Sequence, residues 1–364
     1  MKVLHAAETI KGGVATVMKS LLKDQYSRFG HNQVRALIPQ DHLQELETVP
    51  KNIVFTFKRK KRSISGLVWF SIQFIKMLIQ FKPDVVHLHS TFSGFLGRLI
   101  LILLRPFYRP SVIYCPHAFA FLMEGSQNRR KLFAWIERLL AKGADVIICV
   151  GEYEKKQAQA WGIPAEKMRV VHNGVSPLEK TAEKTPISES NLRKLLFVGR
   201  FDYQKGFDII LDLIPKLKPG SFSLTIVGAA VNSSQKPKEF QGVTYTGWLK
   251  PDELALHYAQ ADVVLIPSRW EGFAMVPLEA MRAKCAILAT NTTSLPEVVT
   301  DGENGRLLEL SPCLADEMAE IIKNTPIEEW RRMGEAGFDK FLAEFTESKM
   351  VEHTAALYQE KSHA

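Results

Sequence analysis

The 364-residue sequence has only four cysteines, Cys115, Cys149, Cys285 and Cys313, and they lie far apart. None forms a Cys-x-x-Cys pair or stands at metal-ligand spacing from a histidine. Neither a disulfide framework nor a zinc ribbon is indicated, and a reducing compartment fits. No Gly-x-Gly-x-x-Gly follows a strand-like run, so the usual dinucleotide fingerprint is missing. No Gly-x-x-x-x-Gly-Lys-Ser/Thr is present either, which removes P-loop hydrolysis. Asp-x-Asp is absent, so the simplest carboxylate pair for a divalent ion on a diphosphate is lacking. No uncharged apolar run reaches the ~18–20 residues of a membrane span. The chain opens Met1-Lys2-Val3-Leu4-His5, directly into a strand-like run, with no apolar leader ahead of a small-residue cleavage site. These absences predict a soluble cytoplasmic protein.

What is present suits two folded cores. Hydrophobic residues make up 46% and charged residues 24%, and at ~150 residues per domain the length predicts two domains. The net charge of +8 is unevenly distributed. Residues 1–178 hold 26 Lys and Arg against 12 Asp and Glu, whereas the remainder holds 21 against 27. The first half therefore suits an anionic partner and the second half does not.

Short apolar runs alternate with helix-length amphipathic segments. In the first half, strands are predicted at 3–5, 33–38, 52–55, 84–89, 111–115, 145–150 and 169–172. Helices are predicted near 14–27, 64–81, 92–105, 128–142 and 152–161. Such alternation implies right-handed crossovers and a parallel sheet. Residues 173–192 are rich in turn formers and read as a linker. A second series follows, with strands at 194–198, 223–227, 243–245, 262–266 and 286–289. Its helices fall near 206–217, 251–259, 277–283, 313–324 and 327–339. The expected architecture is α/β, two Rossmann-like doubly wound domains over 1–172 and 193–343 facing a cleft. A last helix within 344–364 can pack on either domain. Ligands of such sheets bind beyond the carboxyl ends of the strands.

The loops at those ends carry the candidate chemistry. Lys11-Gly12-Gly13 opens the first helix, where free amides and glycine can admit an oxyanion or simply make a tight turn. Arg200 ends a strand and Lys205 precedes the next helix, placing a guanidinium fork and an ammonium where they can clamp a diphosphate. Glu271-Gly-Phe-Ala-Met-Val-Pro-Leu-Glu279 follows the strand ending at Ile266. Pro277 suits a first helical turn, which leaves Glu271 in the loop and Glu279 just inside the helix. Glu279 can accept hydrogen bonds from a diol, and the amides of Phe273, Ala274 and Met275 can bind phosphate oxygen. His117, after the strand 111–115, can hydrogen-bond a sugar hydroxyl or a phosphate. His87 and His89 read as structural, and no histidine spacing indicates a metal.

The combination of Lys11-Gly12-Gly13, Gly199-Arg200 with Lys205-Gly206, and Glu271 through Glu279 resembles retaining glycosyltransferases of the GT-B fold. Family 4 is the nearest group, and Pro267-Ser268-Arg-Trp-Glu271, Asn173-Gly174-Val175 and Asp301-Gly-Glu-Asn304-Gly305 agree with it. The resemblance covers nearly the whole chain. It implies a nucleotide-sugar donor, UDP- or GDP-linked, with Arg200 and Lys205 on the diphosphate and Glu279 on the ribose. It places Glu271 and the amides of Phe273, Ala274 and Met275 on the donor sugar and phosphate. His117 and Gly13, next to Gly12, would meet the donor from the first domain, and Tyr245 through Trp248 would contact the base. Ala274 departs from the glycine of many relatives, and its methyl group could crowd the amide loop. Transfer with retention, without metal or other cofactor, is the implied chemistry.

Lys58, Arg59, Lys60, Lys61 and Arg62 form a cationic block ahead of apolar residues 67–79, and Arg98, Arg105 and Arg109 flank 99–104. This pattern suits an anionic inner-leaflet surface and a glycan or lipid-linked acceptor, or else a solvated loop beside core helices. No basic helix with stacking aromatics favours nucleic acid. Two other readings remain at this point. One is a sugar-nucleotide epimerase or phosphorylase on the same scaffold, and the other a non-catalytic sugar-nucleotide-binding protein.

Overall fold

The computed structural model describes residues 1–59, 63–178, 192–230 and 238–360. The chain divides into two compact units, Met1–Gly174 with the segment from Glu347 onward, and Val175–Thr346. In the first unit, β1 (Val3–Ala7), α1 (Gly13–Phe29), β2 (Val34–Pro39) and β3 (Val54–Phe57) come first. They are followed by α2 (Ile64–Phe81), β4 (Val85–His89), α3 (Thr91–Leu104) and β5 (Ser111–Cys115). Next come α4 (Gln127–Leu140), β6 (Val146–Cys149), α5 (Glu152–Ala160) and β7 (Met168–Val170).

The second unit opens with β8 (Arg193–Val198), α6 (Phe207–Leu213), β9 (Phe222–Val227) and β10 (Val243–Gly247). It continues with α7 (Pro251–Gln260), β11 (Val263–Ile266), α8 (Met275–Arg282) and β12 (Ala286–Thr290). It closes with α9 (Leu295–Val298), β13 (Gly305–Leu308), α10 (Leu314–Asn324) and α11 (Ile327–Glu344). The last helix, α12 (Glu347–Gln359), belongs to the first unit.

Both sheets are parallel. Their strand orders are β3-β2-β1-β4-β5-β6-β7 and β10-β9-β8-β11-β12-β13. Each order reverses once, between β1 and β4 and between β8 and β11. At such a point adjacent loops run to opposite sides and leave a crevice at the strands' carboxyl ends. The central strands β1, β4, β11 and β12 are buried along their whole length. That is why they read as unbroken apolar runs rather than alternating ones. In α2, Phe70, Phe74, Met77, Leu78 and Phe81 pack into the core. The helix stops at Lys82, whose left-handed φ of 48° precedes Pro83.

Several boundaries differ from the sequence expectation. β13 is not predicted, because four residues including Arg306 carry no strand-length apolar run. α6 stops at Leu213 and continues as a 3-10 turn over Ile214–Lys216, since Pro215 lacks the amide an α-helix needs. α11 extends to Glu344, and α8 starts at Met275 instead of Pro277. Of the expected linker, 179–191 lie outside the described residues. Val175 pairs with Thr346 in a parallel bridge within the second unit.

Two arginines assigned to a cationic surface are buried. Arg98 is fully buried, with Nη2 on Glu137 Oε2 at 2.7 Å and its guanidinium 3.9 Å above the Tyr114 ring. Tyr114 donates to the other Glu137 oxygen at 3.0 Å, so this pair ties α3, β5 and α4 together. Arg59 has a 6% exposed side chain, and its Nη1 donates to Glu8 Oε1 and to the Glu8 carbonyl, each at 2.6 Å. A charge taken out of water needs such a partner, so neither arginine serves a membrane surface. Lys60, Lys61 and Arg62 lie outside the described residues.

Candidate active site

In the second unit the predicted residues gather at the β8/β11 reversal. Gly206 and Gly228 allow the approach. A Cβ on Gly206 would lie 2.1 Å from the Pro267 carbonyl oxygen, and one on Gly228 would lie 1.9 Å from that of Gly199. Both glycines also have positive φ, so any side chain there is excluded twice. The loop after β8 is laced to the loop after β11. The amide of Arg269 donates to the Gln204 carbonyl at 2.8 Å, and Gln204 Nε2 donates to the Trp270 carbonyl at 3.1 Å. Arg269 grips Asp208 with both Nη atoms, at 2.8 and 2.6 Å.

Within this frame Lys205 Nζ lies 2.5 Å from Glu271 Oε1, which also accepts from Ser268 Oγ at 2.7 Å. The Glu271 amide donates to Thr293 Oγ1 at 2.9 Å. Arg200 is exposed, with Nη2 on Gln204 Oε1 at 2.7 Å and Nε 3.1 Å from Asp202 Oδ2. Gln204 thus links the Arg200 fork to the residue beside Glu271, and the two predicted cations and Glu271 share one web. Each cation keeps unused donors: among the described residues Lys205 Nζ hydrogen-bonds to Glu271 alone, and an ammonium has three N–H bonds.

Glu279 stands in the second turn of α8, deeper than expected. Its Oε2 accepts from Tyr258 at 2.8 Å, and burial raises its pKa above the ordinary carboxylate range. Phe273 and Ala274 are buried and Met275 is the first helical residue. Pro277 carries no N–H, and the amides of Met275 and Val276, at the start of the helix, have no intrahelical acceptor. Ala274 has φ −69° and ψ 139°, an ordinary extended conformation, so no glycine is required there. Trp248 is exposed, while Tyr245 is half-buried and donates to the Lys238 carbonyl at 3.2 Å.

In the first unit, Gly12 (φ 58°) caps α1 and Gly13 begins it, directly beyond β1. His117 follows β5. A cavity of about 340 Å³ is lined by Glu8, Thr9, Ser90, His117, Arg129 and Arg130 among others. Ser90, His117 and Ala118 all adopt positive φ, a cost repaid only where the surroundings impose it. At the His117–Ala118 turn the constraint comes from Glu154, a residue not singled out in the sequence. One of its oxygens accepts from the amides of Ala118 and Phe119, each at 3.1 Å, and the other from Val150 at 2.8 Å.

His117 is also the end of a histidine chain. Its Nε2 lies 3.0 Å from His89 Nδ1, and His89 Nε2 lies 2.9 Å from His5 Nδ1. His5 Nε2 in turn lies 2.8 Å from Gln25 Oε1. Burial lowers His5 and His117 to about 4 and holds His87 and His89 well below the usual histidine value, so all four rings are neutral at pH 7. Nitrogens of His5, His87 and His89 lie within 4.8 Å of one another. His89 lies nearly parallel to both neighbours, at 24° to His87 and 18° to His5, while His5 and His87 are tilted by 37°, so His89 in particular is badly oriented for an ion shared with them. Lone pairs lie in the ring planes, and nearly parallel planes do not converge on one metal at ~2.0 Å.

Comparison with known proteins decides the family. Residues 193–324 match the model for glycosyl transferases group 1, and residues 11–177 match that for Glycosyltransferase Family 4. The chain belongs to glycosyltransferase family 4. An uncharacterized 41.2 kDa protein in the cps region of Klebsiella pneumoniae is 35% identical over 99% of both chains. Two solved structures share the fold. Sucrose-phosphate synthase from Thermosynechococcus elongatus has TM-score 0.77 and 18% identity, over 99% of each chain. HepE of Anabaena in complex with UDP-glucose has TM-score 0.76 and 17% identity, over 99% of this chain and 100% of that one. This glycosyltransferase therefore has the GT-B fold, two doubly wound α/β units.

Proposed function

We propose that this glycosyltransferase moves a hexose-type sugar, with retention and without a metal, from a UDP- or GDP-linked donor to a glycan or lipid-linked acceptor in bacterial surface polysaccharide or glycolipid synthesis. The observation that carries the reading is the web of Arg200, Gln204, Lys205 and Glu271 at the β8/β11 reversal. The UDP-glucose complex of HepE, on the same fold, supports a nucleotide-sugar donor.

The chemistry follows from charge. Breaking the anomeric C–O bond leaves negative charge on the diphosphate and oxocarbenium character on the sugar. Arg200 and Lys205 neutralise the leaving group, a preorganised contribution of several kcal/mol, roughly. Glu271 holds Lys205 in place and meets the sugar, and Glu279 accepts from ribose hydroxyls. His117 hydrogen-bonds a substrate hydroxyl. The acceptor hydroxyl adds on the face the diphosphate leaves, passing its proton to the departing phosphate oxygen. Thermal-shift measurements with UDP-, GDP- and ADP-sugars, then mass spectrometry of donor breakdown, test the reading. One class is expected to stabilise the protein and to hydrolyse slowly without acceptor. Stabilisation by none of them, or net conversion of the donor sugar without acceptor, overturns it.

The first unit carries a surface suited to the inner face of an anionic membrane. On α2, Ile64, Val68, Ile72, Ile75 and Ile79 are exposed on the face opposite its buried aromatics. On α4, Leu132, Trp135 and Leu139 make a second exposed stripe, and α3 packs between the two helices. Phe107 is 89% exposed. Lys58, Lys76, Arg105, Arg109, Lys131 and Arg138 are exposed as well. Apolar stripes rimmed by cations fit anionic lipid, at ~1 kcal/mol per near-surface cation. The protein is expected to float with phosphatidylglycerol vesicles at low salt. The double variant Ile72→Ser/Ile79→Ser should bind at least tenfold more weakly. Failure of the unmodified protein to bind removes the proposal.

A further inference from the structure

The histidine chain of the first unit has a direction. A neutral imidazole carries one N–H and one lone pair, so in a row of rings each donor fixes the next acceptor. Gln25 sits at the inner end, on α1, with Oε1 toward His5 Nε2 and Nε2 3.3 Å from the Tyr358 hydroxyl. That hydroxyl lies 2.6 Å from His87 Nδ1. Gln25 Nε2 donates to the Tyr358 oxygen, which turns the amide oxygen toward His5 and leaves the phenol proton for His87 Nδ1. An amide oxygen only accepts, so His5 carries its proton on Nε2 and accepts at Nδ1. His89 must then donate from Nε2 and accept at Nδ1, and His117 must donate from Nε2.

We propose that Gln25, His5 and His89 are positioning residues that hold His117 as the Nε2–H tautomer, so that its Nδ1 offers a lone pair to a hydroxyl of the sugar substrate. The proposal rests on the reading of His117 as a substrate contact. It explains why three buried polar side chains line up behind a residue that lines the cavity. It also gives α12 a part in the site, since Tyr358 sets the orientation of Gln25. Among the described residues Nδ1 of His117 has no hydrogen-bond partner, so the ring's remaining polar atom is left for a ligand. The opposite polarity requires Gln25 turned over and would leave an N–H at Nδ1, which donates to a hydroxyl oxygen instead of accepting the hydroxyl's proton, and so reverses what the ring recognises.

The test is the tautomer itself, read from two-bond proton–nitrogen correlations in the full chain labelled with 15N-histidine, with His117 assigned through His117→Gln. The expected result is pure Nε2–H for His117 in the unmodified protein and a mixture of tautomers in Gln25→Leu. Gln25→Glu, whose carboxylate accepts but cannot donate, should preserve Nε2–H. A structural role alone would move stability and leave the tautomer untouched. In turnover, Gln25→Leu is expected to lower kcat roughly tenfold with donor KM unchanged, and Gln25→Glu to restore it. An Nδ1–H ring in the unmodified protein, or an unchanged tautomer in Gln25→Leu, overturns the proposal. Absence of turnover with every nucleotide sugar would instead count against the transferase reading, because the tautomer assignment needs no activity.

Discussion

Lys205→Ala is expected to reduce kcat by roughly 10²–10³, the cost of losing one preorganised partner of a developing negative charge. The loss should fall mainly on kcat, because Arg200 still binds the diphosphate in the ground state. Stability will fall too. Glu271 has a 6% exposed side chain and would keep Ser268 but lose its cation. Removing one member of a buried pair costs about 3–5 kcal/mol. Lys205→Arg keeps the charge but not the compact geometry around Glu271, and should recover stability more than turnover. Steady-state kinetics beside thermal unfolding separates the two effects. A kcat within threefold of the unmodified enzyme in a folded Lys205→Ala protein would remove Lys205 from the mechanism.

Acid should destabilise the first unit selectively. His5, fully buried, has its pKa lowered to about 4 in the folded protein against 6.5 ordinarily, and His117 behaves likewise. Above pH 6.5 both states are neutral and nothing is lost. As the pH falls from 6.5 toward about 4, the unfolded chain takes up protons that the folded chain refuses, so stability falls over that window. Each such histidine contributes about 1.4 kcal/mol per pH unit. His87 and His89, held down by the same burial, steepen the fall. Hydrogen-exchange protection factors of β1 and β4 amides at pH 7, 6 and 5 measure it. They are expected to drop by more than tenfold per unit below pH 6.5, and less steeply in His89→Gln. Protection independent of pH would contradict neutral burial of the cluster.

The positions of the strands were legible because parallel strands covered on both faces leave apolar runs that stand out in a sequence. β5 matches its predicted limits to the residue, and β1, β2, β4 and β8 shift by at most two. The loops holding Arg200, Lys205 and Glu271 were legible for the same reason, since strand ends locate loops. Their contacts were not. Lys205 and Glu271 stand 66 residues apart, and no periodicity reports which oxygen an ammonium will meet. Within the cationic block, that Arg59 turns inward to Glu8 was not legible, because a run of like charges gives composition without direction.

By itself the amino-acid sequence determined the two α/β units, the carboxyl-end loops that carry the chemistry, and the identity of the charged groups in them. These follow from local patterning, which acts over a few residues and survives without knowledge of neighbours. Only the tertiary structure decided that His5, His89 and Gln25 stand behind His117 and that Tyr358 of α12 reaches both Gln25 and His87. It alone showed that Glu154 holds the strained turn and that Arg98 is sealed against Glu137. Hydrogen bonds and ion pairs of this kind join residues distant in the chain. They form only where sheet register and helix packing bring the partners within about 3 Å.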